Sequence, residues 1–206
     1  MSAFSGQRVL GRSGLKVGPL GLASSYGAEA KAFEEAFALG CNYFYWGSFR
    51  RDGMGQAMRT LAKTNRDKMV IALQSYARWS PVLRWSVFRG LRSLKTDYAD
   101  VLLLGWYNHM PSDGIMEQAL KLKKEGHVRA IAISCHDRPM FAQFIQDKRF
   151  DIIMTRYNAA HRGAEREVFP HLDAIPTNER PGVISYTATR WGWLVDPKKY
   201  PTEIKT

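Results

Sequence analysis

With 206 residues, 45% of them hydrophobic and 12% aromatic, the chain can fill the core of one large α/β domain spanning residues 1–206, and disorder is excluded. No stretch approaches the roughly 20 apolar residues of a membrane span, and the N-terminal "MSAFSGQRVLGRSG" lacks the apolar centre of a signal peptide, so a cytoplasmic protein without membrane partners is expected. The net charge of +11 favours anionic partners, but the basic residues are scattered in doublets such as Arg50-Arg51 and Lys123-Lys124, so nucleic acid is not an expected one.

In chain order, "RVLGRSGLKV" has a Ser-Gly turn between two short apolar pieces and predicts a hairpin. "VGPLGL" (17–22) reads as a short strand, and "AEAKAFEEAFALG" as a helix closed by Gly40. "NYFYW" is a strand and "GMGQAMRTLAK" a helix with Met54, Met58 and Leu61 on one face. "MVIAL" (69–73) is a buried strand, followed by the helix "SPVLRWSVFRGLRSL" with Ser80 as N-cap and Pro81 in its first turn. "ADVLLL" is a strand, "GIMEQALKLKKEG" a helix ended by Gly126, and "VRAIAI" (128–133) a strand. "RPMFAQFIQD" reads as helical, "FDIIMT" as a strand, "AEREVFPHLDAI" as a broken helix and "PGVISYT" as the seventh strand. Apolar strands alternating with amphipathic helices imply a parallel sheet covered by helices. No Gly-x-Gly-x-x-Gly follows the first strand, which favours a barrel over a doubly wound dinucleotide fold.

Six segments, in order, resemble the aldo/keto reductase family: "LGRSGLKVGPLGL", "FEEAFALGCNYFYW", "RGLRSLKTDYADVLLL", "KKEGHVRAIAIS", "MTRYNAAHR" and "ISYTATRWGWL". The resemblance implies a (β/α)8 barrel whose base is plugged by the N-terminal hairpin. It also implies NAD(P)H-linked carbonyl reduction by an Asp, Tyr, Lys and His at the C-terminal ends of the strands. The chain reaches "YPTEIKT" shortly after the seventh strand, so the expected barrel is incomplete. It would have about seven βα units, no eighth strand and no loop for the 2′-phosphate of NADP. Self-association through the open barrel edges is then expected.

On the family's pattern the four catalytic identities are replaced. Tyr45 stands at the aspartate, Arg50 (or Phe49, with a short gap) at the tyrosine, Gln74 at the lysine and Gly105 at the histidine. Of the cofactor-binding positions, Ser134 matches, Cys135 replaces an asparagine, Met154 replaces a glutamine, and Tyr186 matches the aromatic that stacks on the nicotinamide. Tyr157 and Asn158 also fit the motif. Weak NADP(H) binding is the resulting expectation.

Further residues near the strand ends are candidates for a ligand pocket: Trp46, Trp106, His136, Arg156 and Asn158. "RYNAAHR" places Arg156, Asn158, His161 and Arg162 where an anion clamp could form. Tyr45 is a candidate relocated proton donor if Arg50 or Arg51 lowers its pKa. "SCHDR" suggests a Cys-His-Asp nucleophile, but consecutive residues cannot converge as such a triad must; His136 or Asp137 capping the next helix is the simpler reading. Cys41 and Cys135 follow no metal or redox spacing, and no metal is expected. Two functions stay open: an oxidoreductase relative with an altered catalytic set, taking a small ligand or nicotinamide cofactor, and a non-catalytic ligand-binding or structural barrel or inactive truncated product.

Overall fold

A computed structural model describes residues 6–25, 27–47 and 52–199. Its first elements are the antiparallel hairpin strands β1 (Arg8–Val9) and β2 (Lys16–Val17). Seven parallel strands follow in sequential order: β3 (Gly21–Ala23), β4 (Tyr43–Trp46), β5 (Val70–Ser75), β6 (Ala99–Leu104), β7 (Val128–Ser134), β8 (Ile152–Arg156) and β9 (Gly182–Tyr186). Between them run α1 (Ala30–Ala38), α2 (Asp52–Asn65), α3 (Ser80–Leu94), α4 (Asp113–Lys124), α5 (Phe141–Gln146), α6 (Ala164–Glu167) and α7 (Phe169–Asp173). The arrangement is an incomplete (β/α)8 barrel, with β3 and β9 at the two edges of the sheet.

Side chains along each strand alternate between two layers. One layer faces the helices and holds Phe44, Trp46, Ile71, Leu73, Leu102, Leu104, Ile131, Ile133 and Ile153, packed on α-helical Met54, Met58, Leu83, Val87, Ile115 and Phe144. The other is the barrel interior, with Tyr43, Val70, Ala72, Val101, Leu103, Ala130, Ala132, Ile152 and Met154. Leu10, Leu15 and Val17 of the hairpin join the interior set and fill its base.

Several boundaries differ from the sequence reading. "VGPLGL" is not one strand: Val17 belongs to the hairpin and only Gly21–Ala23 pairs with β4. Pro19 has no N–H for a ladder, and the Gly18 N–H donates instead to Asn42 Oδ1 at 2.8 Å. Trp79, not Ser80, is the N-cap of α3, so Ser80 lies inside the first turn and makes no capping bond. "RPMFAQFIQD" divides into a 3-10 turn, Arg138–Met140, and the short α5. The break in "AEREVFPHLDAI" falls at Val168, two residues before Pro170.

The base of the barrel is pinned by polar side chains at alternate strands. Asn42 Nδ2 donates to the Lys16 and Lys68 carbonyls, both at 3.0 Å. Asp100 Oδ2 accepts the Ile71 N–H at 2.9 Å, and Asp151 Oδ2 accepts the Ile131 N–H at 2.8 Å. Each thus fixes the register of the preceding strand. Arg66 and Arg129 compensate Asp100 at 2.9 and 3.1 Å and both lie over the Tyr98 ring, while Lys123 compensates Asp151 at 2.6 Å.

Arg12 ties the hairpin to the far side of the sheet. Its guanidinium donates to the carbonyls of Phe150, Asp147 and Glu179, all within 3.0 Å, and its backbone N–H donates to the Arg180 carbonyl at 2.8 Å. Gly11 packs so closely on Pro181 and Gly182 that a Cβ there would strike backbone, and its φ of 51° also favours glycine. Removing the Arg12 side chain leaves three carbonyls without this donor. Arg12→Ala should lower unfolding stability by about 2–4 kcal/mol, read in urea or thermal melts, against near neutrality for Lys31→Ala on the surface of α1.

Among the described residues β3 and β9 each have only one strand neighbour in the sheet. Unpaired edges recruit other strands. Light scattering after size exclusion should therefore find the 206-residue chain associated beyond a monomer; a monodisperse monomer would contradict this expectation.

Candidate functional site

The C-terminal ends of the strands form the mouth of the barrel, and the inward positions of β4 to β9 supply its floor. Tyr45, Gln74, Gly105, Ser134, Met154 and Tyr186 all take such positions. Arg50, with Phe49 and Arg51, lies outside the described residues.

The first three of these positions form a closed group. The Tyr45 hydroxyl donates to Gln74 Oε1 at 2.5 Å. Gln74 in turn covers Gly105: a Cβ at residue 105 would lie 2.5 Å from Gln74 Nε2 and 2.9 Å from the Tyr76 ring. The volume that a side chain at residue 105 would need is therefore filled by Gln74. Burial pushes the Tyr45 phenol well above the usual tyrosine range, and the neighbouring Tyr76 and Tyr186 push in the same direction. The direction of the Tyr45 shift is upward, opposite to the lowering that the proton-donor reading needs; Arg50 and Arg51, on which that reading rests, lie outside the described residues.

Trp46 is not in the mouth. The alternation that turns Tyr45 inward turns Trp46 outward, where it is 2% exposed in the layer beneath the helices and contacts Gly55 of α2. The pocket reading of Trp46 is corrected on that ground.

Cys135 is buried just past β7. Its thiol donates to the Asp137 carbonyl at 2.9 Å and approaches Asn108 Oδ1 at 3.4 Å. Burial, helped by the charge of Asp137, pushes the thiol up to about 11, so it is a poor nucleophile at neutral pH. Asp137 occupies the cap position of the Arg138–Met140 turn but makes no side-chain capping bond. Among the described residues, no three His, Cys, Asp or Glu side chains are placed to hold a metal ion.

The loop after β8 separates the proposed anion clamp into parts. Asn158 is buried, donates to the Thr187 carbonyl at 2.8 Å and accepts the N–H groups of Ala160 and His161 at 3.0 and 2.9 Å. It is a loop tie, joining the ends of β8 and β9. Arg162 pairs with Glu165 at 2.9 Å. His161 turns its Nδ1 to Asn158 Oδ1 at 3.3 Å, whereas the Arg156 Nη2 meets His136 Nδ1 at 3.2 Å and its charge acts on Tyr186. Burial and then the Arg156 charge lower the His136 pKa, so the imidazole is neutral at pH 7 and Nδ1 accepts from the guanidinium.

Aromatic rings surround this pair. Trp106 lies 5.3 Å from His136 between centroids, His136 lies 6.1 Å from Tyr186, and the guanidinium stands 5.9 Å over Trp191. Trp106, Thr187, Arg190 and Trp191 all have φ between 49° and 58°, a left-handed backbone unusual for such residues. The sequence reading did not connect His136 with Arg156, because they come from different loops.

The residues expected at a cofactor pocket lie around the same corner. Ser134 Oγ accepts the Trp106 N–H at 2.9 Å, the thiol of Cys135 is turned to the backbone, and the Met154 side chain is buried in the barrel interior. Tyr186 is met by the His136 ring and by Arg156.

Comparisons with known proteins agree with the fold. The aldo/keto reductase family model matches residues 18–205. The chain is 26% identical to L-galactose dehydrogenase of Arabidopsis thaliana over 234 residues, spanning 97% of this chain and 72% of that protein. The holo form of an aldo-keto reductase from Bacillus halodurans superposes with a TM-score of 0.76 at 25% identity, covering 91% of this chain and 67% of that one. An aldo/keto reductase from Klebsiella pneumoniae, solved in complex with NADP and acetate, has the same fold at a TM-score of 0.73 and 20% identity, over 98% of this chain and 74% of the other. With a family match over nearly its whole length and seven strands in the family's order, this chain belongs to the aldo/keto reductase family.

Proposed function

We propose that this protein is a ligand-binding member of the family that does not carry out NAD(P)H-linked carbonyl reduction at ordinary enzyme rates. The observation that carries the reading is the Tyr45–Gln74 hydrogen bond lying over Gly105. Carbonyl reduction needs a group that gives a proton to the carbonyl oxygen, and it works best with a pKa near the operating pH. Tyr45 is pushed the wrong way, Gln74 has no proton to give, and Gly105 has no side chain. Cys135 is held protonated and turned to the backbone, while partial desolvation of the exposed His136 and the Arg156 charge lower the imidazole pKa. A positioned general acid contributes about 10²–10⁴-fold, and the described mouth has none suitably tuned.

The ligand-binding part of the reading rests on the half-open corner of Arg156, His136, Trp106 and Tyr186, where strained backbone, charge and aromatic surface coincide. Dinucleotide binding there is weak in this account. A second reading, in which reduction survives, is favoured by the retention of Ser134 and Tyr186 and by the NADP complex of the Klebsiella relative.

One experiment separates the two. A panel of aromatic and aliphatic aldehydes is offered with NADPH or NADH while nicotinamide absorbance is followed, beside a calorimetric titration of NADPH. The expected outcome is no turnover above a Tyr45→Phe control and an affinity weaker than micromolar. Turnover within the usual range of about 1–10³ per second would select the second reading.

A further inference from the structure

Arg156 is the feature of the mouth that the fold leaves uncompensated. It is half-buried, and among the described residues its partners are the His136 ring, the Tyr186 side chain and the face of Trp191, none of them a carboxylate. Its Nε is buried and has no hydrogen-bond partner. The other arginines near it are engaged elsewhere: Arg138 pairs with Glu167 at 3.4 Å, and Arg190 lies over Trp193. The positive field is nevertheless felt across the corner: burial lowers the His161 pKa, and Arg156, Arg190 and Arg138 push in the same direction. A partly desolvated guanidinium with no counter-ion is costly unless an anion completes it.

His136 supplies a second donor. Because Nδ1 accepts from Arg156, the hydrogen of the neutral ring sits on Nε2, the nitrogen turned away from the guanidinium. His136 and Trp106 are exposed, so this donor and the indole face are both open to solvent.

We propose that Arg156 and His136 hold the carboxylate of a small planar acid, an aromatic monocarboxylate, whose ring lies in the corner walled by Trp106, Tyr186 and Trp191. This rests on the ligand-binding reading above and names its ligand class. One guanidinium and one neutral imidazole match a single negative charge, and flat walls match a flat acid. A phosphate dianion fits less well, because among the described residues Arg156 is the one cation hydrogen-bonded to His136, Arg138 is paired with Glu167, and the carboxylate of Asp137 lies next to His136 in the chain.

The test is a titration of the full chain with benzoate, read by calorimetry and by tryptophan fluorescence, with neutral benzamide and inorganic phosphate in parallel. Benzoate should bind saturably, and benzamide and phosphate should not bind over the same concentrations. Arg156→Gln should weaken benzoate by about tenfold or more, the loss of one charge-assisted contact. His136→Ala should weaken it severalfold, and Arg84→Gln, which breaks only a pair with Glu125, should leave it unchanged. Far-ultraviolet dichroism and a melt establish that each variant is folded; the exposed His136 carries the test if Arg156→Gln is not. Absent saturation by benzoate, equal binding of benzamide, tighter binding of phosphate, or full affinity in a folded variant of either residue would each overturn the proposal. The titration contains no nicotinamide, so its failure is distinct from that of the non-catalytic reading, which aldehyde turnover would sink by itself.

Discussion

The period-two alternation of a parallel strand governs what this barrel can do. Once Tyr43 faces the interior, Tyr45 must face it too, and Phe44 and Trp46 must pack under the helices. The same rule carries Gln74, Ser134 and Tyr186 to the mouth and fixes Gly105 beside Gln74. No neighbouring residue can be substituted for these without a register shift that would turn the whole strand inside out. The identities at the inward strand ends therefore set the chemistry.

The two ends of the barrel treat charge differently. At the base, Asp100 and Asp151 are buried, but each accepts a strand N–H and meets a lysine or arginine, and Arg12 spends its donors on carbonyls. These networks serve register and stability. At the mouth, Tyr45 and Gln74 satisfy one another, while Arg156 leans on a neutral histidine and aromatic rings. The strained backbone at Trp106, Thr187 and Trp191 lies at this end as well. That asymmetry is the usual one for this architecture, in which the C-terminal face carries function.

Much of the fold was legible in the sequence. "ADVLLL" is β6 to the residue, because an apolar run bounded by a helix and a glycine leaves little choice. Gly40 and Gly126 mark helix ends through their positive φ. The place of Trp46 under the helices is implicit in its alternation with Tyr45, which sends neighbouring residues to opposite faces. The Gly18–Pro19 break in the first strand could have been found from the missing proline N–H. Other features were beyond reach: Arg12 binds carbonyls more than 130 residues away, and His136 meets Arg156 across 20 residues of sequence through two separate loops. Such pairs depend on how strand ends are arranged in space, which no local pattern records.

The central claim is that Tyr45 is a locked hydrogen-bond donor and not an acid poised for proton transfer. Its protonation can be read directly from the ring-carbon chemical shift of Tyr45 in tyrosine-labelled protein, assigned by loss of the signal in Tyr45→Phe. Burial raises the pKa, so the folded protein should keep the Tyr45 hydroxyl protonated well above pH 10, where an ordinary tyrosine is half ionised. Ionisation of Tyr45 near or below pH 9 in the folded protein would contradict the account.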